Sequence, residues 1–347
     1  MPRPSRSTEI DAALLDQVSA HPADLVRVVA KELVLSRTAV AARARALVGG
    51  DYLQKSGTTR PQYRMGGNRR GTFEHALSGL TEDSVWSGDV APLLVGLPRN
   101  VVDICHHGLT EIANNAIDHS EGLALRVSVD RNATRVRIVV IDDGIGIFHK
   151  ITRALDLPDE RLALLELSKG KLTTDAKRHS GEGIFFTSRM FDRFTIASGG
   201  LMFDHDASNV HDILDEPGAC DMAPGTMVVM EIGADSARTP KQVFDQFSSG
   251  PDDYSFAKTV VPVRLARIGD DNLVSRSQAK RVLQRADRFR TVMFDFEGVA
   301  SIGQAFADEI FRVFANAHPA IELIAMHANP EVQQMVRRAE VARDEDR

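Results

Sequence analysis

The chain has 347 residues, of which 43% are apolar and 26% charged, values ordinary for a globular protein and enough chain for two or three domains. No run of 18 apolar residues occurs and MPRPSRSTEIDAALL at the start lacks a hydrophobic core, so the sequence predicts neither export nor a membrane span, and a cytoplasmic location. Cys105 and Cys220 are too few for a disulfide framework or a Cys-rich metal centre.

The net charge of −6 conceals an asymmetry, because residues 1–70 carry 12 Lys/Arg against 6 Asp/Glu. A basic head on an acidic body suggests that the head meets nucleic acid. Within it, 10–20 and 22–34 read as short helices broken at His21-Pro22, and Ser36 is a good N-cap for a third, Arg37–Val48, ended by Gly49-Gly50. A loop (Lys55–Pro61) and a short strand, Gln62–Met65, follow. Three helices and a basic hairpin resemble a winged helix-turn-helix, which implies duplex DNA as a partner. Arg37 and Arg43 would then face phosphates from the third helix, and Arg60 and Arg64 from the wing. Winged helices also serve as protein-docking modules, and that reading stays open.

Residues 68–72 form a plausible linker, and Phe73–Leu80 and Asp83–Val95 read as helical. A longer helix from about Arg99 contains Leu109–Ser120, LTEIANNAIDHS. Glu111, Asn115 and Asp118 fall at i, i+4 and i+7 and so share one face. An acid, an amide and an acid together make a poor surface pattern but suit a cation-bound anion. The amide oxygen can ligate Mg²⁺ and a carboxylate can take a proton from water or a hydroxyl. Leu123–Val129 and Arg135–Ile141 read as strands, the second running into Asp142-Asp143-Gly144-Ile145-Gly146, where a carboxylate can accept from an exocyclic amine. Lys169–Ser180 reads as a mobile loop. Gly181-Glu182-Gly183 then opens a helix, Ile184–Phe191, whose N-terminal N–H groups suit a phosphate. Strands Thr195–Ser198 and Met227–Ile232 follow, with Thr226 as a candidate donor to a phosphate oxygen.

These pieces, in this order over about residues 75–235, resemble the GHKL ATPase superfamily. Glu111/Asn115/Asp118 match its N box, Asp142/Gly144/Gly146 its G1 box and Gly181/Gly183 its G2 box, with a lid over roughly 148–180. The resemblance implies a two-layer α/β sandwich of Bergerat type and the cofactors ATP and Mg²⁺. It implies that Asn115 holds the metal, Asp142 reads adenine, the glycines and Thr226 surround the phosphates, and Glu111 is the general base. The short 71–98 segment, with only His75, lacks the phospho-acceptor hairpin of a sensor kinase.

Beyond Thr239-Pro240, alternating strand and helix patterns (259–265, 275–289, 291–296, 304–317, 321–326, 330–340) argue for a layered α/β domain. FDFEGVASIGQAFADEIF resembles a STAS-like module. The phosphorylatable Asp-Ser-Ser-Gly loop of STAS antagonists is replaced by Gly303-Gln304-Ala305-Phe306, which favours docking of a protein partner over a phosphorylated switch. The sequence thus predicts a multidomain α+β chain: 1–70 winged helix, 71–236 ATP-binding, 237–347 STAS-like. The function predicted is that of an ATP-binding regulator with slow hydrolysis. An anti-sigma-type protein serine kinase and a non-enzymatic ATP-binding adaptor remain as alternatives, and the oligomeric state stays open.

Overall fold

The computed structural model describes residues 6–172, 181–207, 209–215, 224–250, 253–267 and 272–345. The chain packs as two compact units, Met1–Gly144 with Ala223–Ala237, and Ile145–Met222 with Arg238–Arg347. This division runs through the expected central domain rather than along its ends.

The first unit opens with α1 (Arg6–Gln17), α2 (Leu25–Glu32) and α3 (Arg37–Gly49). Ser36 caps α3 as expected, its hydroxyl accepting from the Ala39 N–H at 3.2 Å. Leu14, Leu25, Val29, Val40, Ala44 and Leu47 close a core that also takes in Leu53 and Tyr63. Those two lie on β1 (Leu53–Ser56) and β2 (Gln62–Met65), an antiparallel hairpin.

Next comes β3 (Arg69–Ala76), where a linker and the start of a helix were expected. It pairs antiparallel with a later strand from Arg69↔Arg131 to Ala76↔Ala124. Thr72 meets Ser128 and Glu74 meets Arg126 across that pair. Strand pairing outweighs a helical preference that is weak in a stretch holding Gly71, Thr72 and Phe73. The helical reading of 83–95 holds, as α4 (Glu82–Val85), a π-helical turn (Trp86–Val90) and α5 (Ala91–Leu94). The long helix is α6 (Arg99–His119), burying Val101, Ile104, Leu109, Ile112 and Ala116. Strands β4 (Ala124–Arg131) and β5 (Arg135–Asp142) follow.

The second unit begins with α7 (Ile147–Leu155) and α8 (Arg161–Lys169), two helices inside the stretch expected to be a lid. Lys169 is 0% exposed, so the mobile-loop reading fails at its first residue; 173–180 lie outside the described residues. Then come α9 (Gly183–Met190) and the antiparallel strands β6 (Arg193–Ser198), β7 (Leu201–Asp206) and β8 (Asn209–Asp215). With β9 (Thr226–Gly233) the chain is back in the first unit, where the strand order is β3-β4-β5-β9, all antiparallel.

The C-terminal part starts at α10 (Pro240–Phe247), held by a Thr239/Gln242 capping box, and the small antiparallel pair β10 (Ser248–Gly250) and β11 (Asp253–Phe256). A parallel sheet in the order β12-β13-β14 follows, with β12 Lys258–Pro262, β13 Thr291–Asp295 and β14 Glu322–Met326. Around it lie α11 (Arg276–Leu283), α12 (Gln304–Asp308), a π-helical turn (Glu309–Phe314), α13 (Ala315–Ala317) and α14 (Pro330–Glu345). The alternation expected here is present. Among the described residues no helix is long and apolar enough to cross a membrane.

Candidate functional site

The i, i+4, i+7 spacing puts Glu111, Asn115 and Asp118 on one face of α6, beside its buried apolar stripe. Glu111 and Asn115 are half-buried and Asp118 is exposed. At the C-terminal end of the helix, Ser120 packs against Gly144. A Cβ at Gly144 would stand 2.1 Å from the Ser120 carbonyl oxygen, so only glycine lets the β5 exit lie on the end of α6.

Asp142 ends β5 and is 7% exposed. Its Oδ1 accepts from the Gly144 N–H at 2.9 Å and the Thr226 N–H at 3.3 Å. Burial pushes its carboxyl above the ordinary range, and those two N–H groups oppose the shift. Asp143 serves the backbone instead. Its Oδ1 accepts from Leu123 N–H (2.7 Å) and Ala124 N–H (2.9 Å), and the bond from Ala124 is the main cause of its lowered pKa. Gly225 sits at φ +123 with its Cβ position 2.0 Å from the Asp142 carbonyl oxygen. Thr226, expected among the phosphates, donates its N–H to Asp142, because β9 runs beside β5 with Met227 opposite Ile141.

In the second unit Gly146, at φ +90, precedes the first turn of α7. Gly181 is also left-handed, at φ +72, and a Cβ there would stand 2.4 Å from the Leu172 carbonyl carbon. The Leu172 N–H donates to the Gly181 carbonyl at 2.9 Å. Gly183 is the first residue of α9, whose buried Phe185 and Phe186 join a ring cluster with Phe244, Phe247 and Phe256. The cluster reaches Phe289 through Phe256.

Of the four arginines expected to face DNA, Arg37 and Arg60 are exposed and Arg64 is exposed with its Nε on Gln54 (2.9 Å). Arg43 is half-exposed and already paired. Its Nε and Nη2 grip the buried Asp11 carboxylate at 2.9 and 2.5 Å, locking α3 to α1, and that bond raises the Arg43 pKa.

Two clusters escaped the sequence reading. In the first unit Arg70 donates to Asp130 from Nε (2.9 Å) and Nη2 (2.6 Å) and lies 4.5 Å over the Tyr52 ring, while the Tyr52 hydroxyl donates to Asp130 at 3.0 Å. In the second, the i,i+3 pair Glu166 and Lys169 meets Arg285, 119 positions from Glu166 in sequence. No spacing rule could have joined Arg70 to Asp130 or Arg285 to Glu166. Cys105 is buried, which pushes its thiol up to about 12 and makes it inert; Cys220 lies outside the described residues. Among the described residues no group of three or more His, Cys, Asp or Glu could hold a metal.

Comparison with known families bears on two stretches. Residues 89–202 match the histidine kinase-like ATPase domain, and residues 278–333 match a STAS-like domain of unknown function (DUF4325). No curated protein matches the chain. The chain therefore carries a GHKL-type, Bergerat-fold ATPase domain and a C-terminal STAS-like domain in a multidomain α+β architecture.

Proposed function

We propose that the chain is an ATP-dependent regulator that couples a DNA-binding head to a STAS-like docking domain, with slow ATP hydrolysis. The observation that carries the reading is the buried Asp142 carboxylate, held by Gly144 and Thr226 N–H groups on the bed that Gly144 and Gly225 keep open. A carboxylate so fixed can accept from the adenine amine without first losing a solvent shell. Asp142 and Thr226 are assigned to adenine. Asn115 is assigned to Mg²⁺, Gly144 and Gly146 to the approach of the nucleotide, and Gly181 and Gly183 to the phosphates. Asp118 borders the same face, and Glu111 is the base toward an attacking water.

The donor set fits that group: one amide oxygen on a half-buried helix face is a typical protein share of an Mg²⁺ shell completed by phosphates and water. When bound, the metal neutralises phosphate charge. The chain's own part is to orient the base, to grip the purine edge and to offer backbone N–H groups at α9.

The head's three helices and hairpin, with Arg37, Arg60 and Arg64 outward, favour duplex DNA through phosphate contacts. Two alternatives share the nucleotide assignment: phosphorylation of a partner's serine hydroxyl, and structural binding without turnover. Incubation with γ-labelled ATP, alone and with duplex DNA or cell extract, separates them. Label released as inorganic phosphate supports the switch, label on a protein supports the kinase, and unchanged ATP supports the adaptor. No saturable binding of Mg·ATP by calorimetry would refute all three.

A further inference from the structure

We infer that Arg285, in the STAS-like domain, is a positioning residue for the phosphate-binding glycines Gly181 and Gly183, so that the STAS-like domain governs how tightly the triphosphate is held. The inference rests on the nucleotide reading of those two glycines.

The last carbonyls of a helix have no partner within it. For α8 and the two residues after it, the STAS-like domain supplies partners to three carbonyls. Arg285 Nη2 donates to the Glu166 carbonyl at 2.6 Å, and its Nη1 donates to the carbonyls of Gly170 (3.2 Å) and Lys171 (2.9 Å). Its Nε holds the Glu166 carboxylate at 2.7 Å. Arg288 adds a bond to the Lys171 carbonyl at 3.3 Å, and Lys171 Nζ returns one to the Arg288 carbonyl at 2.8 Å.

The service is reciprocal. Lys169 Nζ, fully buried and bound to Glu166 at 2.7 Å, donates to the carbonyls of Arg281 and Gln284 at the end of α11, both at 3.0 Å. The end of α8 is thus met by a cation from just beyond α11, and the end of α11 by a cation from α8. One step further on, the Leu172 N–H donates to the Gly181 carbonyl. Gly170 is left-handed, φ +74, with its Cβ position 2.6 Å from the Phe256 ring. A path of direct bonds therefore runs from Arg285 through Lys171 and Leu172 to Gly181, two residues before Gly183 opens α9.

A buried ionic trio is poor evidence for stability, since desolvation offsets much of its attraction. Its cost does return fixed geometry. Guanidinium forks hold carbonyls at set angles, and backbone N–H groups aimed at a phosphate need their loop base held at set angles too.

The test is calorimetric titration of the full chain with Mg·ATP and Mg·ADP, for wild type, Arg285→Ala, Arg285→Lys and Arg288→Ala, with folding checked by circular dichroism. A positioning role predicts that Arg285→Ala loses roughly tenfold in ATP affinity while ADP affinity moves less than about twofold, with Arg285→Lys recovering part of the loss. Equal loss for both nucleotides marks a merely structural role and overturns the proposal, as does no loss for either. If Arg285→Ala does not fold, Arg288→Ala decides: an ATP-selective loss of about two- to threefold supports the proposal, and anything unselective overturns it. Wild type that gives no heat with either nucleotide instead rejects the nucleotide reading on which the proposal stands.

Discussion

At the scale of single residues, burial decides which ionisable groups carry chemistry and which carry packing. Asp142 is buried with its pKa raised, so it takes up its proton at higher pH than an exposed aspartate. ATP affinity through this carboxylate should start to fall on acidification earlier than an exposed carboxylate would predict. Asp142→Asn, which leaves no charged acceptor, should lose roughly ten- to hundredfold in affinity for ATP, as expected of one charge-assisted hydrogen bond. The shift of Tm by Mg·ATP checks it; an unchanged shift, or GTP serving as well as ATP, removes the adenine assignment.

Lys169 offers a second check. Burial pushes its ammonium down from 10.5 to about 8. Between those two values the unfolded chain binds the proton and the folded chain does not, so this group's contribution to unfolding free energy rises with pH across that window. Its full cost is present below about pH 8. Urea titrations at pH 7 and pH 10 should therefore show wild type gaining on Lys169→Met at the higher pH. A gain in the other direction would contradict the burial argument.

At the scale of elements, α6 presents the proposed base, Glu111, and the proposed metal ligand, Asn115, one turn apart, and the two should fail differently. Glu111→Ala should keep ATP affinity, because its partner is the attacking water, and lose turnover by roughly 10²–10⁴-fold. Asn115→Ala should lose Mg²⁺-dependent affinity as well, since a ligand to the metal acts in the ground state. Phosphate release at saturating ATP distinguishes them, and equal rates for Glu111→Ala and wild type would leave ATP as a structural ligand. In the β1–β2 hairpin, Arg60→Ala with Arg64→Ala should weaken duplex binding by the full chain and flatten its dependence on salt. Arg43→Ala should instead lower Tm, because Asp11 is left buried without its guanidinium. Binding of duplex that ignores ionic strength would favour protein docking for the head.

At the scale of the molecule, the chain's units do not follow the order of its motifs. The head and the β3-β4-β5-β9 strands belong to one unit, and Tyr52, Arg70 and Asp130 tie the end of the head to that sheet. Asp130→Asn should cost about 1 kcal/mol, since both partners of the ion pair are partly solvated. A lowering of Tm by a few degrees in one cooperative transition is the expected signature. A separate early transition of the head would instead show that the network does not hold it.

The sequence by itself determined whatever depends on neighbours in the chain. The Ser36 cap, the single face shared by Glu111 and Asn115, the carboxylate at the exit of β5 and the glycines at 181 and 183 are set by periodicity, capping and turn chemistry within a few residues. The alternation of strands and helices after residue 239 was legible for the same reason. Tertiary structure alone decided what depends on partners far along the chain. Phe73 lies on a strand because β4 was there to pair with it, and Thr226 serves Asp142 because β9 runs beside β5. Lys169 left the solvent because Glu166 and two carbonyls of a distant helix accept its three donors. Local pattern constrains a backbone over a turn or two, whereas the pairing of buried charges is settled only where the elements that carry them come together.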